Sequence, residues 1–469
     1  MFGRRTRIFH LGLAFAAGIG GAAHAAPSAA LSVGAAREAV AIDPAMLPLD
    51  GFGFSYDPLQ VRVMVLAQGD RRIALAAVDQ TSLSQEVLGD MKKVVGAATG
   101  APADNILIIA THTFSAPHWF GSGPPPPGLS TTAEERDRGQ RYAASLEAAL
   151  DRAAREATAA LRPASMRVAM GSSDVNVNRN VETADGWWLG ADDKGFSDKS
   201  LSIVSFEATD GRPIAILCNY AVQSAVMNQS RGATNMKGIT SDLGGATAGF
   251  IERSYGGSAT AFFLTGAAGD QVPRYVALRN DRDKEGHLHP VDLGDRGYPL
   301  VEVQAAHLGG DAVATAQAAK PVPLSPLPDI VQGSVTLDAQ SRPTSLQSIR
   351  PTHSYAFQTS GKVEAPFWIL RVGDVALVGV QAELSAATGA YIRAHSPFAH
   401  TLVVTMVNGA AKYMPEADAY RQITYEAMNS PFARGSAEAF SQQIVSTLNT
   451  LAQSGASASA RSDHDTGEK

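Results

Sequence analysis

The sequence predicts an α/β fold, a mixed sheet core with flanking helices, and three local patterns carry that expectation. Short apolar, β-branched runs such as Ile106-Leu107-Ile108-Ile109-Ala110 have the length of buried strands rather than of helices. Residues 61–66 and 73–78 are two more such runs, joined across Gly69-Asp70, a dipeptide that suits a hairpin turn. Longer segments of helical composition fall between strands: residues 85–95 behind a capping Ser84, and an Ala-rich stretch over residues 133–161. Hairpin, helix and the next strand make a β-β-α-β unit.

Taking the chain in order, Arg4, Arg5 and Arg7 precede an apolar, Gly/Ala-rich run over residues 11–22 and then Ala23-His24-Ala25. A basic flank, a short apolar run and a small-x-small site are the parts of a cleavable export signal, so residues 1–25 are expected to be a signal peptide and the protein periplasmic or secreted. The run is shorter than the roughly 20 residues a membrane span needs, and Arg4-Arg5 leaves twin-arginine export as an alternative to the general route. No later stretch is long and apolar enough to be a transmembrane segment. With Cys218 as its one cysteine, the chain forms no internal disulfide and must rest on its core.

The 469 residues are 45% hydrophobic and 18% charged, a globular balance with room for one large domain or two ordinary ones. The 39 basic and 45 acidic residues are dispersed and leave a net charge of −6, which argues against nucleic acid as a partner. The domain begins near residue 31 and continues to residue 453, and the small polar residues 454–469 read as a disordered tail. No feature encodes the oligomeric state.

Polar clusters stand where strands run out. In α/β sheets that is where ligands gather. The strand at residues 106–110 delivers Thr111-His112-Thr113-Phe114-Ser115-Ala116-Pro117-His118; Pro124 to Pro127 then hold a loop extended. A strand at residues 166–171 leads to Asn176-Val177-Asn178-Arg179-Asn180, whose asparagines favour turns and whose guanidinium suits an oxyanion or carboxylate. Trp187-Trp188 suggests an apolar loop. Strands at residues 201–206 and 214–217 follow, the second running into Cys218-Asn219-Tyr220-Ala221-Val222-Gln223-Ser224, and the strand at residues 260–265 ends in Gly266-Ala267-Ala268-Gly269-Asp270-Gln271-Val272-Pro273-Arg274. His287 and His289 have a spacing some metal sites use, in a charged loop with no third ligand nearby. Residues 320–328 read as a connection. Residues 367–372 and 375–380 form a hairpin about Gly373-Asp374 that delivers Gln381-Ala382-Glu383, and residues 402–407 lead to Asn408-Gly409 and Tyr413, with Tyr425 beyond.

The order of these clusters resembles the neutral/alkaline (non-lysosomal) ceramidase family, zinc-dependent amidases that split the N-acyl bond of ceramide. His112-Thr113-Phe114-Ser115-Ala116-Pro117 is similar to the family's His-Thr-His-Ser-Gly-Pro; Asn176, Asn178 and Arg179 keep its Asn-x-Asn-Arg; Asn219 to Met227 and Thr240-Ser241-Asp242-Leu243-Gly244-Gly245 resemble two further motifs. The resemblance implies the family's catalytic-domain fold, without the C-terminal immunoglobulin-like domain of many members. It also implies zinc ligands at His112, Gln223, Glu383 and Tyr413, and substrate-side partners at Arg179 and Tyr425. Gln223 stands where the family has a histidine, so zinc is expected to be weakened and held by His112, Glu383 and Tyr413. Val272 stands where the family has a serine proposed to act in catalysis, and Phe114 replaces another histidine.

Three functions follow. The first is an exported ceramidase-like hydrolase of an amide, ester or other acyl-like bond, on a small-molecule or lipid substrate other than ceramide. The second is a metal-independent acid/base enzyme, a lyase or glycosidase, using His112, Tyr413, Tyr425, Arg179 and Gln223 on an acidic glycan. The third is a binding protein that kept the cleft.

Overall fold

A computed structural model describes residues 30–118, 132–325, 328–343, 345 and 348–464. The signal-peptide reading of residues 1–25, the proline run at Pro124 to Pro127 and the last five residues of the tail lie outside the described residues. The polar residues after Ser454 continue the backbone of the final helix, Ser436–His464, and the side chains of residues 455–464 are also outside the described ones.

The core is two sheets stacked face to face between two layers of helix. The larger sheet runs in the order Thr260–Thr265, Pro213–Tyr220, Ser200–Ala208, Arg162–Ser172, Ser32–Ala39, Gln60–Gln68, Arg71–Val78, Ile106–Ala110. Its pairings are antiparallel except between the last two strands and between Pro213–Tyr220 and Thr260–Thr265. The smaller sheet is Asp329–Gln340, Thr359–Val372, Val375–Val380 and His400–Val404.

Side-chain alternation sorts each strand between layers. Along Gln60–Gln68, Val61, Val63 and Val65 turn to the helices Gln85–Thr99 and Ala133–Ala159, while Met64 and Leu66 turn to the second sheet and meet the cluster of Leu370, Leu377 and Leu402. The helices Asp242–Ser254 and Tyr298–Gln317 cover the same outer face under Ile203, Ile216 and Phe263. On the far side, Phe367, Ile369 and Val378 pack against Phe440, Ile444 and Leu448 of the last helix. Both strands of such a pair must be apolar on two faces, hence the continuous rather than alternating runs. Each fully buried Leu, Val or Phe adds about 1.5–3 kcal/mol.

The expected hairpins at Gly69-Asp70 and Gly373-Asp374 form, with residue partners Gln68↔Arg71 and Val372↔Val375. Ser84 caps Gln85–Thr99 through Val87 N, and Thr132 and Glu135 make a reciprocal capping box on Ala133–Ala159. Two local readings change. The supposed connection at residues 320–328 begins with Lys320–Val322, which adds to the large sheet beside Arg162–Ser172. The asparagine-rich segment is the strand Asn176–Thr183, and Trp187-Trp188 lies on its returning partner Gly186–Asp192, not in a loop. Turn-forming residues sit in a strand here because their amides are used elsewhere: Asn176 Nδ2 donates to the carbonyls of Asp198 and Ala221 at 2.8 and 2.7 Å.

Candidate functional site

The carboxyl ends of the strands from both sheets meet at one place. His112 sits just past Ile106–Ala110 with φ +63°, a left-handed backbone uncommon for a non-glycine residue and found where surrounding structure imposes it. That structure is visible: Thr111 Oγ1 donates to Asp79 Oδ1 at 2.9 Å, Thr265 Oγ1 donates to the Thr111 carbonyl at 3.0 Å, and Thr113 bridges in parallel to Ser224. The last bridge brings Gln223 beside His112. The segment that follows Gln223 is anchored by Asp242, whose carboxylate accepts from the backbone N–H groups of Val226 and Met227 at 2.9 Å each and of Leu243 at 2.6 Å. An Asp242→Ala variant leaves these three buried donors unpaired, and we expect it to lose at least about 3 kcal/mol of unfolding free energy in urea titrations; a loss within experimental error would show that water replaces the carboxylate.

Glu383 and Tyr413 are register partners in a two-residue parallel pairing, Glu383–Leu384 with Tyr413–Met414. Arg179 is set by its backbone N–H on the Asp270 carbonyl at 2.9 Å, where Asn176–Thr183 pairs with Gln271–Pro273. The side chains then form a continuous buried chain. His112 Nδ1 lies 2.6 Å from the Thr81 carbonyl and Nε2 lies 3.1 Å from Glu383 Oε2. Gln223 Nε2 donates to the same Glu383 oxygen at 3.1 Å, Arg179 Nη1 donates to Gln223 Oε1 at 3.0 Å, and Arg179 Nε donates to Glu426 Oε1 at 2.6 Å. The guanidinium lies over the Tyr413 ring at 5.0 Å and the Tyr425 ring at 5.8 Å, and Trp188 meets Tyr425 edge-on at 5.7 Å. Arg179 Nη2 and Glu426 Oε2 make no hydrogen bond.

A carbonyl only accepts, so His112 Nδ1 carries a hydrogen; a proton must then also lie between Nε2 and the Glu383 carboxylate, since two lone pairs would repel at that distance. Burial alone would raise the Glu383 carboxyl, yet the facing His112 and then Arg179 hold it below the usual range. Burial, reinforced by Glu383, pushes the Tyr413 phenol well up, and burial raises Tyr425. Against the desolvation that would lower it, Tyr413 and Glu426 keep Arg179 firmly charged.

Every predicted site residue, His112, Arg179, Gln223, Glu383, Tyr413 and Tyr425, falls in this one cluster. Phe114 packs on His112 with ring centres 4.6 Å apart. His287 and His289 do not converge: the first pairs with Asp185 at 2.9 Å and the second lies 3.5 Å from Asp283. Sequence reasoning missed Glu426, the counter-ion of Arg179, although it adjoins Tyr425 in the short helix Tyr425–Met428. It also missed Asp270, whose carboxylate accepts from Ala386 N at 2.8 Å and from Asn178 Nδ2 at 3.1 Å.

Burial, then Glu416, push Asp270 up to about 7. A carboxyl raised above its unfolded value favours the folded state when protonated, so its contribution is present below about pH 4 and lost as pH climbs toward 7. The stability gap between the wild type and Asp270→Asn therefore shifts against the wild type between pH 4 and 8, by a few kcal/mol at most. Urea midpoints at several pH values test this, and a pH-independent gap would refute it.

A cavity of about 610 Å³ opens at Arg179 and Gln223, with Leu189, Val272, Tyr275 and Leu300 in its wall. The donor set does not fit zinc as it stands. Gln223 offers an N–H, not its oxygen, toward Glu383, and among the described residues no three His, Cys, Asp or Glu side chains are placed to hold a metal ion.

No protein-family model matches the chain, and no curated protein matches it in sequence. Solved structures do. The neutral ceramidase from Pseudomonas aeruginosa superposes with a TM-score of 0.65 over 89% of this chain and 74% of its own, at 16% identity. A ceramidase complexed with C2 gives 0.67 over 91% of this chain and 76% of its own, at 15% identity. The mixed α/β fold is therefore that of the neutral ceramidases.

Proposed function

We propose, taking the neutral-ceramidase fold as premise, that this protein is a hydrolase of an amide, ester or other acyl-like bond, with a lipid-like or other small-molecule substrate that is not ceramide itself. The observation that carries the reading is a buried, charged Arg179 in the wall of a largely apolar cavity, joined through the Gln223 amide to a His112–Glu383 pair that shares a proton. Such a cavity accepts an acyl chain. A guanidinium in low dielectric stabilises the oxyanion that forms when water adds to a carbonyl. The Glu383 carboxylate accepts a proton from that water, the His112 imidazolium gives its Nε2 proton to the leaving group, and the proton on Glu383 then passes to His112 Nε2, restoring the pair. Val272 lines the cavity where the ceramidase resemblance implies a serine, and a valine forms no acyl intermediate, so water attacks directly. The N-terminal pattern of arginines, apolar run and Ala23-His24-Ala25 supports export to the periplasm or beyond.

The experiment is a panel of chromogenic N-acyl amides and acyl esters of graded chain length, with ceramide included. Turnover of acyl substrates exceeding that of ceramide is expected; no turnover of any acyl bond would sink the reading. One observation favours acid/base chemistry on an acidic glycan instead: Arg274 and Arg279 share the cavity with Arg179. Each already pairs with an aspartate, Asp193 and Asp281 respectively, which leaves little charge for a polyanion. An unsaturated product from acidic oligosaccharides would nevertheless decide for it.

A further inference from the structure

We propose that the centre is built to work without a resident zinc ion, and that Gln223 is the residue that makes it so, by linking Glu383 to Arg179 through both ends of its amide. The inference concerns metal content and is read without turnover, so it stands or falls separately from the hydrolase reading.

The amide orientation follows from the chemistry of its two neighbours. Arg179 has five N–H donors and no acceptor, so the Gln223 atom 3.0 Å from Nη1 must be the oxygen. Glu383 Oε2 is an acceptor toward this amide, so the Gln223 atom 3.1 Å from it must be the nitrogen. Turning the amide over would set N–H against N–H at one end and oxygen against carboxylate oxygen at the other. Both clashes would be buried, with Gln223 2% exposed, and each unpaired group costs about 1–3 kcal/mol.

A zinc ion at this place needs the opposite orientation, with the amide oxygen turned inward. As built, the ion would meet two N–H hydrogens on Gln223. A phenol keeps its proton near neutral pH, so Tyr413 is a weak ligand, and the strong donors that remain are His112 and Glu383, one short of the three protein ligands that catalytic zinc sites keep. Those two are also already engaged with each other at 3.1 Å, and Glu383 Oε2 accepts twice. The hydrogen-bonded chain from Thr81 through His112, Glu383, Gln223 and Arg179 to Glu426 is thus continuous without a metal. An imidazole at position 223 would remove the amide hydrogens and present a ring nitrogen that can carry a lone pair, which makes a third ligand.

The test is zinc loading of the full chain, dialysis, and metal analysis alongside thermal melting with and without a chelator, for the wild type, Gln223→His and His112→Ala. The wild type is expected to retain well under one zinc per chain and to melt at the same temperature with chelator. Gln223→His should retain about one zinc per chain and melt several degrees higher with zinc, a gain the chelator abolishes. The proposal is overturned if the wild type keeps about one zinc that chelator removes and that His112→Ala fails to bind. It is equally overturned if folded Gln223→His binds no more zinc than the wild type. Should Gln223→His not fold, the wild-type and His112→Ala measurements still decide the metal content.

Discussion

Arg179→Met is expected to lower the unfolding free energy by about 3–5 kcal/mol, because it leaves the Glu426 carboxylate buried without its counter-ion. Glu426 is 1% exposed, its Oε1 lies 2.6 Å from Arg179 Nε, and its other oxygen has no hydrogen-bond partner to fall back on. The double variant Arg179→Met/Glu426→Gln removes the stranded charge and should recover much of that loss, which urea denaturation of the two proteins measures directly. If the single and double variants are equally stable, Glu426 is not the cause. Lysine is no substitute at this position. One ammonium cannot donate to Glu426 and Gln223 while covering the rings of Tyr413 and Tyr425, as the planar guanidinium does. On any substrate that is turned over, removing the guanidinium should also lower kcat by about 10²–10³-fold, the usual cost of losing an oxyanion donor.

His112→Asn is expected to lower kcat/KM by about 10²–10⁴-fold, the range for removing a general acid or base. Asparagine is the informative replacement because it tolerates the left-handed backbone that position 112 requires, φ +63°. The fold should therefore survive, at a melting temperature lowered by the loss of the imidazole that faces the buried Glu383, whose carboxylate keeps the Gln223 amide and the nearby Arg179. A β-branched residue there would confound lost chemistry with backbone strain. Should His112→Asn retain wild-type kcat/KM, the proton-transfer role falls, and the Arg179-lined cavity is a binding site only.

The candidate site was legible because each of its members follows an apolar run or a recognisable turn. His112 comes two residues after Ala110 and Gln223 three after Tyr220, and a strand end is where a polar side chain leaves the core. Glu426 was not legible. Nothing in Tyr425-Glu426 marks the glutamate as the partner of an arginine 247 positions earlier in the chain. Asn176 and Asn178 misled for a related reason: turn propensity is a local preference, and buried carbonyl partners supplied by Ala221, Asp198 and Phe196 outweigh it. Trp187 and Trp188 look like a loop in the sequence because the strand that pairs with them has the composition of a turn.

The order of residues by itself determined the layers' raw material: strands too apolar to face water on either side, helices with one apolar stripe, capping residues, hairpin turns and the identity of the site's reactive groups. Only the tertiary structure decided that the strands divide into two stacked sheets, since alternation says which residues share a face but not what covers it. It also decided what Gln223 does. A glutamine in a histidine's place reads from sequence as a weakened ligand. Folded between a donor-only arginine and a carboxylate, its amide has one satisfiable orientation, and that orientation turns a hydrogen, not a lone pair, toward the place a metal would take.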